Sequence, residues 1–192
     1  MIQTMAEPQS IRVARDGWMT DSRAYNLIWL GRWMERAESI ARGMDTAAKH
    51  AEFARSGANA DGNDALLNCL CDLASSFGVS VERREEVTAE LLLRNPGSSV
   101  LQSLIKARLS ATQIAPVELM RALTEAILEV ERVPVEEITT PQQVIDMATA
   151  VIGKIASAGQ VIEDEWFGRE TLSDEEIYRR FAQQQQQQQM CG

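Results

Sequence analysis

Trp29-Leu30-Gly31-Arg32-Trp33-Met34-Glu35-Arg36-Ala37-Glu38-Ser39-Ile40-Ala41-Arg42 decides the fold of this chain. It lies inside a proline-free run from Asp21 to about Arg55 and reads as one long helix. With Leu27 at zero and about 100° per residue, Leu30, Met34, Ala37, Ala41 and Ala48 share one arc with it. Trp29, Trp33, Ile40 and Met44 widen that arc to roughly 160°, where a surface helix needs only about 100°. The helix is therefore expected to pack against two or more neighbours or against another subunit. Trp29, Trp33 and Ile40 are the interface candidates. Arg32, Glu35, Glu38 and Arg42 fall on the opposite side, and Arg36 lies between the two, beside Trp29. Gly43 is a mild weak point in the helix.

Outward from this helix the chain continues in helical segments. Ser56 to Gly62 has loop composition. Asn63 opens a helix to about Phe77 with Leu66, Leu67, Leu70, Leu73 and Ala74 inside, and Gly78 ends it. Glu82 to Arg94 supports a short helix carrying Val87, Leu91 and Leu92. Asn95-Pro96-Gly97-Ser98-Ser99 is a turn, and Ser99 with Gln102 makes a capping box for a helix to about Ile114. Pro116 starts the next helix, or kinks the same one, with Val117, Met120, Thr124, Ile127 and Leu128 as its apolar stripe. Thr140-Pro141-Gln142-Gln143 starts a helix to about Trp166, on which Gly153, Ala156 and Gly159 permit close helix approach. Ser173 to Phe181 reads as a last short helix. No strand with sustained alternation is visible. The fold class is thus all-α: a helical bundle of six to seven helices without a sheet. Its expected organisation is a weakly ordered extension over 1–19, a helical domain over 20–182 and a Gln-rich disordered tail over 183–192.

The chain has 192 residues, 45% hydrophobic and 24% charged, enough for one domain with a real core. A net charge of −9 argues against a nucleic-acid partner, whose phosphates need clustered cations. The segment Met1 to Ser10 lacks a signal-peptide core, and no apolar run of about 18 residues is seen. The expected location is the cytoplasm, without a membrane anchor. Cys69, Cys71 and Cys191 do not describe a disulfide framework. Two cysteines two apart on a helix diverge, and the single His50 has no partner nearby, so neither a metal site nor a cofactor is expected.

Two groups of residues are binding candidates. Arg32, Glu35, Arg36, Glu38 and Arg42 can form a recognition face that clamps a carboxylate or phosphate, or can be a salt-bridged solvent face. Glu35 and Arg36 are adjacent, diverge by about 100° and are not expected to act on one partner. Asn95, Ser98 and Ser99 sit in a turn at a helix N-terminus, which can hold an anion or can simply be capped.

The phrase Trp29 to Glu38, followed by Ala41-Arg42, resembles the Glu-Arg signature of the alpha-E domain family, also called DUF403. Asn95 to Leu104 followed by Lys106-Ala107-Arg108 is similar to that family's second conserved turn and helix, and brings Arg108 among the binding candidates. Typical members carry two Glu-Arg signatures in two related halves, whereas one is seen here. The resemblance implies a short member, for which a symmetric homodimer restores the two-copy arrangement. It also implies a setting beside ATP-grasp ligase-like proteins in a peptide or amino-acid amidoligase system. From that setting come three expectations. The first is a non-catalytic helical partner of the ATP-grasp ligase. The second is an enzyme component using the Arg/Glu face on an acidic or amino-acid substrate. The third is a structural homodimeric scaffold.

Overall fold

Helix α1 (Asp21–Gly57) is 37 residues long and runs through the middle of the molecule. The fold is that of a computed structural model, which describes residues 20–57 and 62–166. The expected extension, the helix over 173–181 and the Gln-rich tail lie outside the described residues. The Thr20 hydroxyl accepts the Arg23 N–H and caps the start of α1. Three helices surround α1: α2 (Gly62–Ser76), α4 (Val100–Ala111) and α6 (Pro141–Trp166). Helix α5 (Val117–Glu131) packs on α4 and α6 and closes the bundle. No strand forms among the described residues, as the all-α reading requires.

Three neighbours account for the wide apolar arc of α1. Leu30, Met34, Ala37, Ile40, Ala41, Met44 and Ala48 are all buried within the chain itself. Ile40 is fully buried, so its assignment as an interface residue is corrected: it is a core residue. The arc is filled by the protein's own helices and gives no argument for a second subunit.

Gly43 has a positive role that its helix propensity hides. A Cβ placed there would come within 2.5 Å of Leu73 Cδ1, so the missing side chain lets α2 seat on α1. Gly153 and Gly159 behave in the opposite way. Nothing lies within 4 Å of a Cβ added to either, so neither serves a close helix approach inside the bundle. Small residues permit close approach only where a partner helix is present.

The stripe proposed for α5 is also rotated. Leu119, Leu123, Ala126, Ile127 and Val130 face the core, whereas Val117 is 78% exposed and Leu128 40% exposed. Val117 is the first helical residue after Pro116, at a solvent-facing helix start, and so does not mark the buried face. Pro116 begins a separate helix rather than kinking α4, which ends at Ala111. The start of α6 follows the sequence reading. Thr140 Oγ1 accepts the Gln143 N–H, and the Gln143 side chain accepts the N–H groups of Thr139 and Thr140. Over Pro141–Asp164 this helix is long and apolar enough to cross a bilayer by length and composition alone. Here its stripe of Val144, Ala148, Val151, Ile155 and Ala158 is packed into the bundle.

The segment between α2 and α4 is helical but irregular. A 3₁₀ turn (Arg84–Glu86), one α turn that we number α3 (Val87–Ala89) and a π turn (Glu90–Arg94) follow one another without a break. Val87, Thr88, Ala89, Leu91 and Leu92 are all buried, which a regular one-sided helix cannot achieve. The wider π turn closes with the Asn95 N–H on the Glu90 carbonyl, and it delivers the chain into the Asn95–Ser99 turn.

Candidate functional site

The Asn95–Ser99 turn is built by its own side chains. Asn95 Oδ1 accepts the N–H groups of Gly97 and Ser98 at 3.1 and 2.9 Å. Ser99 is fully buried and caps α4: its Oγ accepts the Gln102 N–H and donates to the Leu93 carbonyl. Ser99 thus caps α4 from within the chain, as an ordinary capped turn does. What the turn presents is the Ser98 hydroxyl.

Arg36 reaches that hydroxyl. Its Nη2 donates to Ser98 Oγ at 2.5 Å and to the Phe77 carbonyl at 3.1 Å, with the guanidinium 5.7 Å from the centre of the Phe77 ring. Phe77 follows the last residue of α2, where Gly78 turns the chain with φ at +69°. Carbonyls at a helix C-terminus lack intrahelical donors and carry partial negative charge, so a cation there is favoured twice over. Arg36 thus ties α1 to the end of α2 and the start of α4. Its Nε is buried without a hydrogen-bond partner.

Next to this tie lies a row of aromatic rings along α1. Tyr25 and Trp29 are 6.0 Å apart and tilted, and Trp29 and Trp33 stack at 5.4 Å. Trp33 is half-buried against the core, while Lys106 Nζ sits 4.6 Å above its ring and 3.4 Å from the Gly97 carbonyl. Ser98 meets Arg36 while Lys106 meets Trp33, so α4 runs antiparallel to α1. Tyr25 and Ile28 are 62% and 58% exposed, which leaves an apolar edge at the start of α1.

A cleft of about 320 Å³ opens between these features, lined by Trp29, Arg32, Trp33, Glu35, Arg36, Ser39 and Phe77. It brings Glu35 and Arg36 to one cavity although they share no hydrogen bond. They diverge around the helix, but a cleft wider than one side chain reaches both. Glu38 and Arg42 lie outside it and pair with each other at 2.7 Å on the exposed surface. Arg108 is exposed and does not reach the cleft; Lys106, two residues earlier, is the α4 cation that meets the aromatic row. A second cleft of about 340 Å³ between the end of α5 and the start of α6 contains none of the candidate binding or interface residues.

Sequence reasoning missed Phe77 and Lys106. Phe77 acts through a backbone carbonyl, which no side-chain pattern reveals. Lys106 lay in the quoted Lys106-Ala107-Arg108 stretch, and helix register around Ser99 was the signal that would have chosen it over Arg108.

No curated protein and no solved structure significantly matches the chain. A family model does match over residues 19–164, and it is described as a predicted alpha-helical domain with a conserved ER motif. That span takes in all six helices up to Asp164, the Glu35-Arg36 pair and the turn that receives Arg36. The chain belongs to the Alpha-E family.

Proposed function

We propose that the protein is a non-catalytic helical partner in an ATP-grasp amidoligase system of the cytoplasm, docking on the ligase-like protein through α1. The observation that carries this reading is the exposed start of α1. Tyr25 and Ile28, with the half-buried Trp29 beside them, form an apolar edge on the central helix of the bundle. Exposed aromatics on a fixed scaffold are the usual anchors of protein interfaces, because they bury large area at small entropic cost. The division of labour inside the Glu-Arg pair also supports it. Arg36 is committed to Phe77 and Ser98, as a structural tie rather than a group free to act on a substrate's reacting atoms.

The test is capture of the genomically adjacent ATP-grasp protein by the tagged full chain, with and without ATP. Capture is expected, and Tyr25→Ala with Ile28→Glu should abolish it while leaving the circular dichroism spectrum unchanged. No association under either condition would overturn the reading.

A further inference from the structure

We infer that the cleft beside Arg36 binds the carboxylate of an amino acid or of a peptide C-terminus that carries an aromatic or large apolar side chain. The inference rests on reading α1 as a recognition element. It concerns a different contact from the docking edge at Tyr25 and Ile28.

The cleft has two kinds of wall. Trp29, Trp33 and Phe77 supply apolar and aromatic surface, and Arg32 and Arg36 supply two guanidinium groups. Glu35 is the carboxylate among them, so the lining carries one net positive charge in a chain whose total is −9. A local positive charge on an acidic protein marks a place where an anion is wanted. A single charge suits a monoanion. A phosphate monoester at about −2 would face Glu35 with its second charge unmatched. The exposed Arg32 guanidinium also matches the planar geometry of a carboxylate with paired donors.

The second observation is the state of Arg36. Its Nη2 is satisfied by Phe77 and Ser98, which hold the side chain in place. Its Nε–H is buried inside the chain, so Arg36 brings a fixed positive charge to the cleft wall rather than a free donor. Arg32 is exposed at the mouth of the same cleft and makes no ion pair with Glu35. Arg32 is thus the guanidinium placed to receive the carboxylate, with the fixed charge of Arg36 behind it, and Glu35 is placed to take an α-ammonium group where the ligand has one.

The experiment is calorimetric titration of the full chain with N-acetylphenylalaninate, N-acetylphenylalaninamide, free phenylalanine and phenyl phosphate. ¹⁹F NMR of protein labelled with 5-fluorotryptophan accompanies it, with Trp29 and Trp33 resonances assigned by single Trp→Phe variants. The carboxylate should bind, and its amide should bind at least about tenfold more weakly, as loss of a charged hydrogen-bond partner implies. Arg32→Ala, at an exposed position, should weaken the acid about tenfold without changing the circular dichroism spectrum. The Trp29 and Trp33 resonances should shift on saturation. Free phenylalanine binding more tightly than the acetylated acid assigns the site to amino acids through Glu35; the reverse order assigns it to peptide ends. Equal binding of acid and amide, tighter binding of phenyl phosphate, shifts confined to other tryptophans, or no binding of any carboxylate would overturn the inference. Ligase capture without ligand binding removes this inference alone, and ligand binding without capture removes the partner reading alone.

Discussion

Replacing Arg36 by Ala removes a side chain that joins α1 to the end of α2 and the start of α4 at one point. The two bonds from Nη2, to the Phe77 carbonyl and Ser98 Oγ, come from a charged donor, and such bonds are worth about 1.5–3 kcal/mol each. Arg36 is half-buried, so solvent screening places both near the lower figure. The contact with the Phe77 ring adds about 0.5 kcal/mol. In the other direction, the substitution removes the unpartnered Nε and recovers about 1 kcal/mol of desolvation cost. The net loss is about 2–3 kcal/mol, which for a domain of this size lowers Tm by about 4–12 °C. Thermal unfolding followed by circular dichroism measures it. Arg36→Lys should recover less than half of the loss, because the ammonium falls one bond short of Nη2 and gives up the flat guanidinium contact with the Phe77 ring. A double-mutant cycle with Ser98→Ala isolates the bond at 2.5 Å and should give a coupling of about 1–2 kcal/mol. If Arg36→Ala unfolds within a degree of the wild type, or the cycle is additive, the tie is not what holds these three elements together.

Other substitutions separate local from tertiary effects. Gly43→Ala should gain little or lose stability, because the overlap with Leu73 offsets the gain in helix propensity; in a Leu73→Ala background the same change should stabilise by about 1 kcal/mol. Gly153→Ala, where an added Cβ meets open space, should stabilise by about 0.5–1 kcal/mol in the wild-type background, and a destabilisation would mean that this face of α6 is covered in solution. Ser99→Ala should cost about 1–2 kcal/mol, because the buried hydroxyl both caps α4 and donates to the Leu93 carbonyl, and urea titration would show a loss near zero if the turn holds without it.

What could be read from sequence was whatever depends on local pattern. The Ser99 cap, the Thr140–Gln143 box, the Gly78 stop and the buried arc of α1 from Leu30 to Ala48 rest on spacings of three, four and seven residues, and the structure holds each of them. The buried face of α5 is also in the pattern, at Leu119, Leu123, Ala126 and Val130, beside the exposed Val117. What could not be read depends on partners distant in sequence. Gly43 looks like a helix defect until Leu73 is placed against it. Ile40 looks like an interface residue until three helices enclose α1. The site is the same case: Arg36 could be singled out by its position beside Trp29, but its acceptors lie 41 and 62 residues away.

That distance bears on what a Glu-Arg pair is for. Adjacent residues on a helix point about 100° apart, so a pair kept side by side does not need to act as one chemical unit. Here the arginine turns inward and sets how α2 and α4 meet α1, while the glutamate stays at the mouth of the cleft that this meeting creates. One residue makes the site's walls and the other faces its contents. Stability and recognition should therefore part company at neighbouring positions. Glu35→Gln should leave Tm within about 1 °C, since exposed polar changes are worth less than about 0.5 kcal/mol. It should instead alter which ligands the cleft prefers, whereas Arg36→Ala alters both stability and binding. A Glu35→Gln protein that melts as early as Arg36→Ala would show the pair to be a single structural unit after all, and the cleft would lose its claim to be more than a gap between helices.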